Sequence, residues 1–75
     1  PARNYVTIDY SVPAGVTKSA VVVSNMLGSK VREISLNDRS GKARIDVTDL
    51  MDGIYFYSLL VNDRMILTRK FVVRH

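Results

Sequence analysis

From Ile54 to Val61 every residue except Ser58 is aromatic or aliphatic. No other stretch constrains the fold so strongly. A run of about eight residues is short for a helix, and its aromatic content favours a strand. Side chains alternate between the two faces of a strand, so a run apolar at both parities predicts a central strand covered on both sides. The polar corner Asp49-Leu50-Met51-Asp52-Gly53 feeds it. Gly53 lets the backbone take values that other residues avoid, so the chain can turn sharply there. Leu50 is expected to plug the corner.

The rest of the chain divides around this run into further strands. Asn4 to Val12 alternates, with Val6, Ile8, Tyr10 and Val12 on one side. Pro13-Ala14-Gly15 ends it as a turn. Val16 to Asn25 is rich in β-branched residues, with Ser19, Val21 and Val23 inward and Lys18, Ala20 and Val22 outward. Asn25 to Gly28 is a turn expected to bury one or two side chains. In the third strand, Ser29 to Asn37, Val31, Ile34 and Leu36 can all face inward only if a β-bulge interrupts it near Arg32-Glu33. Asn37 to Gly41 reads as a polar loop. Lys42 to Thr48 follows with Ala43, Ile45 and Val47 inward. Asn62-Asp63 predicts a two-residue hairpin turn of the type I′ kind. Arg64 to Arg74 is the last strand, with Met65, Leu67, Phe71 and Val73 on one side. Arg69 falls on that same side, so either a bulge re-aims it or its end snorkels past the sheet edge. Strands at roughly 9–12-residue spacing, with turn signals between them, predict a small all-β sandwich or barrel in one domain.

The net charge of +4 is unevenly placed. Up to Asp63 the charges cancel; Arg64, Arg69, Lys70 and Arg74 then follow with no acid among them. A basic edge strand discourages edge-to-edge aggregation. It also suits an acidic partner or a polyanion. With 75 residues and no cysteine, the chain has neither disulfides nor a zinc-type ligand set, and its stability should be modest. A hydrophobic fraction of 47% argues against disorder. No apolar run approaches the roughly 18 residues of a membrane-spanning helix. The first residues do not read as a signal peptide, because Arg3 is followed by alternation.

No catalytic set is legible. The single histidine, His75, ends the chain and is expected to be mobile, so it cannot serve a Ser-His-Asp arrangement. The four glycines stand singly at turns, and no phosphate loop is formed. Asp46, Asp49 and Asp52 can be read as calcium ligands, or as one exposed strand residue and two corner residues. Tyr5, Tyr57 and the basic last strand offer stacking surfaces and charge for a nucleic acid, but ordinary packing explains the tyrosines and there is no RNA-binding signature. The sequence therefore predicts no enzymatic activity, no cofactor, no metal and no nucleic-acid partner.

Tyr55, just past the corner glycine, resembles the tyrosine corner of immunoglobulin-like sandwiches, in which the phenol bonds backbone a few residues upstream. The bond would fall near Asp49–Asp52; alternatively Tyr55 simply fills core. The order of landmarks along the chain resembles a known family. Pro1-Ala2 is similar to the end of an Asn-Pro-Ala opening segment. Thr7 to Gly15 resembles an I-x-Y-x-L-P strand and turn, with Val12 in place of Leu. Ser24 to Val31 resembles Y-N-x-x-G-x-x-V, with Gly28 at the glycine and Ser24 in place of the aromatic. Leu50, Gly53 and Tyr55 match L-x-x-G-x-Y, and Thr68 to Val73 resembles a terminal x-x-K-h-h-V strand containing Phe71 and Val73. Together these resemble the type A C-terminal sorting domain of type IX secretion cargo proteins of Bacteroidota.

That resemblance implies an all-β, immunoglobulin-like sandwich of about six to seven antiparallel strands, spanning residues 1–75 and closing a longer exported protein. It implies a non-catalytic address read in the periplasm by the outer-membrane translocon. In many members a sortase-like peptidase then removes the domain and the passenger is attached to surface lipopolysaccharide, while some members keep the domain; the protein is expected in the periplasm in transit, then at the outer membrane and cell surface or secreted. On this reading Lys70, Val72 and Arg74 face outward for recognition, while Gly28, Leu50, Gly53, Tyr55, Phe71 and Val73 are the structural signature. An open edge strand also lets the isolated domain pair or swap into a homodimer. The alternative is a generic immunoglobulin-like adhesion or carbohydrate-binding module, which would need exposed aromatics or long loops; the loops predicted here are short.

Overall fold

The computed structural model describes residues 2–75, and Pro1 lies outside them. Six antiparallel strands form two sheets: β1 (Tyr5–Ser11), β2 (Ser19–Asn25), β3 (Lys30–Leu36), β4 (Ser40–Asp46), β5 (Gly53–Val61) and β6 (Arg64–Val73). The larger sheet runs β3-β2-β5-β6 and the smaller pairs β1 with β4. No helix occurs among the described residues. This two-layer arrangement is compatible with a small immunoglobulin-like sandwich.

The core lies between the layers and follows from the alternation. Ile8, Val12, Ala43, Ile45 and Val47 come from the small sheet and its flanks; Val21, Val23, Tyr55, Leu59 and Val73 come from the large one. Val23, Ile45 and Val47 are wholly buried. The β2–β3 irregularity falls between Val23 and Ser24, opposite Arg32 and Lys30, so Val31 is the extra residue of the expected bulge. Val31, Ile34 and Leu36 then all pack against the core.

Asn62 and Asp63 both take positive φ, 51° and 66°, as a type I′ hairpin requires. The Asn62 side chain also anchors the start of β2, accepting from the Thr17 hydroxyl at 3.0 Å and the Lys18 N–H at 3.2 Å.

Four local expectations are corrected. The second strand pairs only from Ser19, because Thr17 and Lys18 bond to Asn62 in the hairpin turn instead of to a neighbouring strand. The fourth begins at Ser40, since Ser40 and Gly41 pair with Ser11 and Tyr10. Met26 and Leu27 are exposed: Asn25 closes the turn itself, its Oδ1 accepting from the N–H groups of Leu27 and Ser29 at 3.0 Å each, which leaves the two side chains pointing outward. Finally, Leu59 pairs with Leu67 but Leu60 with Met65, so Ile66 is a bulge that turns Met65 away from the core.

The covered-on-both-faces expectation for β5 also fails in part. It is central within its sheet, with β2 and β6 as neighbours. The small sheet covers only the Tyr55, Tyr57 and Leu59 side. Ile54, Phe56 and Leu60 point to the other side, which nothing among the described residues covers.

Candidate functional site

The corner and the terminal strand meet at one end of the sandwich. Gly53 has a φ of 158°, and the Tyr55 ring lies 3.9 Å from where a Cβ would stand on it. Two residues on, Tyr55 is buried and its hydroxyl donates to the Met51 carbonyl at 2.7 Å. That is the upstream backbone bond expected of a tyrosine corner. Leu50 is half-buried against the core, its N–H donating to the Val47 carbonyl at 3.0 Å. Gly28 closes the Asn25 turn with a φ of 86°, a conformation that side chains disfavour.

Phe71 stacks on Tyr55 with ring centroids 5.9 Å apart and lies 6.1 Å from Tyr57. Val73 is 1% exposed. These two residues hold β6 to the core. Lys70, Val72 and Arg74 alternate with them and are exposed. Lys70 stands opposite Phe56, and Val72 opposite Ile54. Arg69, opposite Tyr57 on the inner side, snorkels: it is exposed, and its guanidinium donates to the Thr68 carbonyl at 3.2 Å.

β6 is an edge strand, but part of its edge is taken. Ala2 forms a parallel bridge with Val73: its N–H donates to the Val72 carbonyl at 2.7 Å and its carbonyl accepts from the Arg74 N–H at 2.9 Å. Beside this bridge a surface groove of about 440 Å³ separates β1 from β6, lined by Ala2, Tyr5, Val6, Thr7, Phe71 and Val72.

His75, expected to be mobile at its terminal position, makes two hydrogen bonds to the corner. Its backbone N–H donates to Asp52 Oδ1 at 3.0 Å and its ring Nε2–H donates to the Leu50 carbonyl at 2.7 Å. The corner thus clasps His75, a contact across more than twenty residues that alternation cannot reveal.

The three aspartates read as calcium ligands do not converge. Asp46 accepts from the Thr48 N–H at 2.8 Å, Asp49 pairs with Arg32, and Asp52 holds His75. Among the described residues no three acidic or imidazole groups come together. The Thr48 hydroxyl and N–H hold the Asp46 carboxyl below the usual carboxylate range. The tyrosines weighed for base stacking are engaged elsewhere: the Arg44 guanidinium sits 3.6 Å over the Tyr5 ring, and Tyr57 packs against Phe71.

A folded all-β module whose ordered chemistry is a corner, a clasp and a basic edge belongs with recognition domains. The chain matches the family model of the secretion system C-terminal sorting domain over residues 1–74, and it belongs to that family, the type IX secretion sorting domains. Neither curated proteins nor solved structures yield a match. The family is a non-catalytic sorting signal, and membership implies interaction with the secretion machinery and export through the outer membrane to the cell surface or exterior.

Proposed function

We propose that this domain is the C-terminal address of a longer exported protein, and that the outer-membrane translocon reads it from the periplasm through the exposed side of the terminal strand. The family match over residues 1–74 carries this reading. Lys70, Val72 and Arg74 supply the contact, and Phe71 and Val73 fix the strand that presents them. In this scheme a sortase-like peptidase cuts ahead of the domain and the passenger is joined to lipopolysaccharide. A folded signal of this kind works by shape, charge and backbone, with no bond-making of its own.

The test fuses a fluorescent passenger ahead of residue 1 in a bacterium that has the secretion system. Deleting Lys70–His75 also removes Phe71, Val73 and the His75 clasp, so a folding check must accompany it. The informative variants are Lys70→Glu with Arg74→Glu in the intact domain. Normal surface delivery by those folded variants would place the address elsewhere on the sandwich. The mass of the released passenger reports whether the domain was removed and lipopolysaccharide added.

A further inference from the structure

We infer that the uncovered face of the β3-β2-β5-β6 sheet is a docking surface for a protein with an acidic rim around an apolar centre; this deepens the sorting reading above and rests on it. The register sets Ala20 beside Leu60 and Met65, Val22 beside Ser58 and Thr68, Ser24 beside Phe56 and Lys70, and Ile54 beside Val72. All of these side chains point away from the small sheet. Ser58 and Ala20 lie at the bottom of this face, 5% and 8% exposed, although no second layer covers them. The Ser58 and Thr68 hydroxyls satisfy each other at 3.1 Å, so the floor asks for no polar partner. Around it Val22, Phe56 and Leu60 are half-buried, while Ile54 and Val72 are 36% and 39% exposed. A sheet face that carries Val22, Ile54, Phe56, Leu60 and Val72 with no second layer over it suits an interaction surface.

Charge selects the occupant. The β3 margin is neutralised, because Lys30 pairs with Glu33 at 2.6 Å. The β6 margin is not: among the described residues Lys70 and Arg74, the cations on this side of the strand, form no ion pair. A second copy facing this one would bring the same unpaired cations, and the acid it carries on this face, Glu33, is already paired with Lys30. A bilayer would favour protruding apolar side chains, as on an amphipathic helix; Met65 protrudes at one end of the face, 64% exposed, but Val22, Phe56 and Leu60 at its centre lie half-sunk against their neighbours. A half-sunk apolar centre with its hydroxyls internally satisfied, beside unpaired cations at one margin, fits a complementary protein surface.

The test measures microscale thermophoresis of the whole domain, fused behind a fluorescent passenger, against purified type IX translocon in detergent. Phe56→Glu should weaken binding at least about tenfold, as expected for a central aromatic anchor. Lys70→Glu should weaken it several-fold at about 0.05 M salt and much less at about 0.5 M. Arg39→Glu, in the β3–β4 loop, makes the same charge change off this face and should bind as the parent does. Circular dichroism and urea midpoints establish that each variant folds; if Phe56→Glu does not, Ile54→Glu carries the same prediction. Unchanged binding by folded Phe56→Glu or Ile54→Glu, with Lys70→Glu still weakened, would overturn the docking face and leave the terminal-strand reading standing; unchanged binding by Lys70→Glu as well would overturn both. Failure of the parent domain to bind translocon would overturn both. Equal affinity for phosphatidylglycerol vesicles would assign the face to lipid. A parent dimer dissolved by Phe56→Glu, with translocon affinity unchanged, would assign it to a second copy.

Discussion

Tyr55→Phe isolates one hydroxyl at the corner. The ring stays, with its stacking on Phe71, and only the bond to the Met51 carbonyl is lost. A net hydrogen bond contributes about 0.5–1.5 kcal/mol, and a buried group left unpaired costs about 1–3 kcal/mol. Tyr55 is 7% exposed, but Met51 itself is 81% exposed, so water can reach the vacated carbonyl in part. The expected loss is therefore about 1–2 kcal/mol, between the two limits. An unfolding entropy of roughly 2.1 cal/mol/K per residue converts this to a fall in Tm of about 6–13 °C for a chain of 75 residues. Tyr57→Phe is the control: Tyr57 also packs on Phe71, but no hydrogen bond to its hydroxyl is formed among the described residues. It should cost less than about 0.5 kcal/mol, like other substitutions away from a specific interaction. Urea midpoints read by circular dichroism, with equal slopes, give both numbers. If Tyr55→Phe matches the parent, or if the two variants lose the same amount, the hydroxyl does not hold the corner.

Val73→Ala should cost roughly 1.5–3 kcal/mol by urea denaturation, because a 1% exposed side chain leaves a cavity that the sheet cannot close. Gly28→Ala should cost about 1–2 kcal/mol in the same assay, since a φ of 86° crowds a Cβ even where no neighbouring atom is near. Asp46, whose carboxyl Thr48 holds below its usual value of 3.8, should contribute stability fully present above that value and lost as the pH falls through the lower folded one. In that window the unfolded chain binds the extra proton, so stability rises with pH; Asp46→Asn should flatten this limb in urea midpoints taken down the acid range, and an unchanged slope would contradict it.

Alternation made most inward-facing residues legible. Val6 and Ile8, Val21 and Val23, and Ala43 and Ile45 each recur at a spacing of two, and each packs inward. Asn62-Asp63 announced its turn because few residue pairs tolerate two positive φ values. The motif around Leu50, Gly53 and Tyr55 announced the corner. What stayed hidden was pairing across distance. Nothing local in Tyr5–Ser11 says that its partner is Ser40–Asp46, and nothing in His75 says that Asp52 and Leu50 will hold it. Met65 was misplaced because one bulged residue, Ile66, reverses the parity that the reading relied on. Phe56 and Leu60 were read as covered because apolarity at both parities has two sources, a second layer or an unoccupied docking face. Sequence periodicity does not distinguish them. The four cations of the last strand were legible as an excess, but their lack of acidic partners emerges only from the fold.

The strand order also governs time. β2 with β3 and β5 with β6 are neighbours in the chain and can zip locally, but β1 must find β4, and β2 must find β5, across equally wide stretches of chain. Closing so wide a loop is paid in entropy before any contact repays it. Sandwiches rich in such pairings fold on the order of milliseconds to seconds. Until β1 and β4 come together as the lid, Val21, Val23 and Leu59 have no opposing layer and face water. A chain that has formed its hairpins but not this closure carries its apolar inner surface bare.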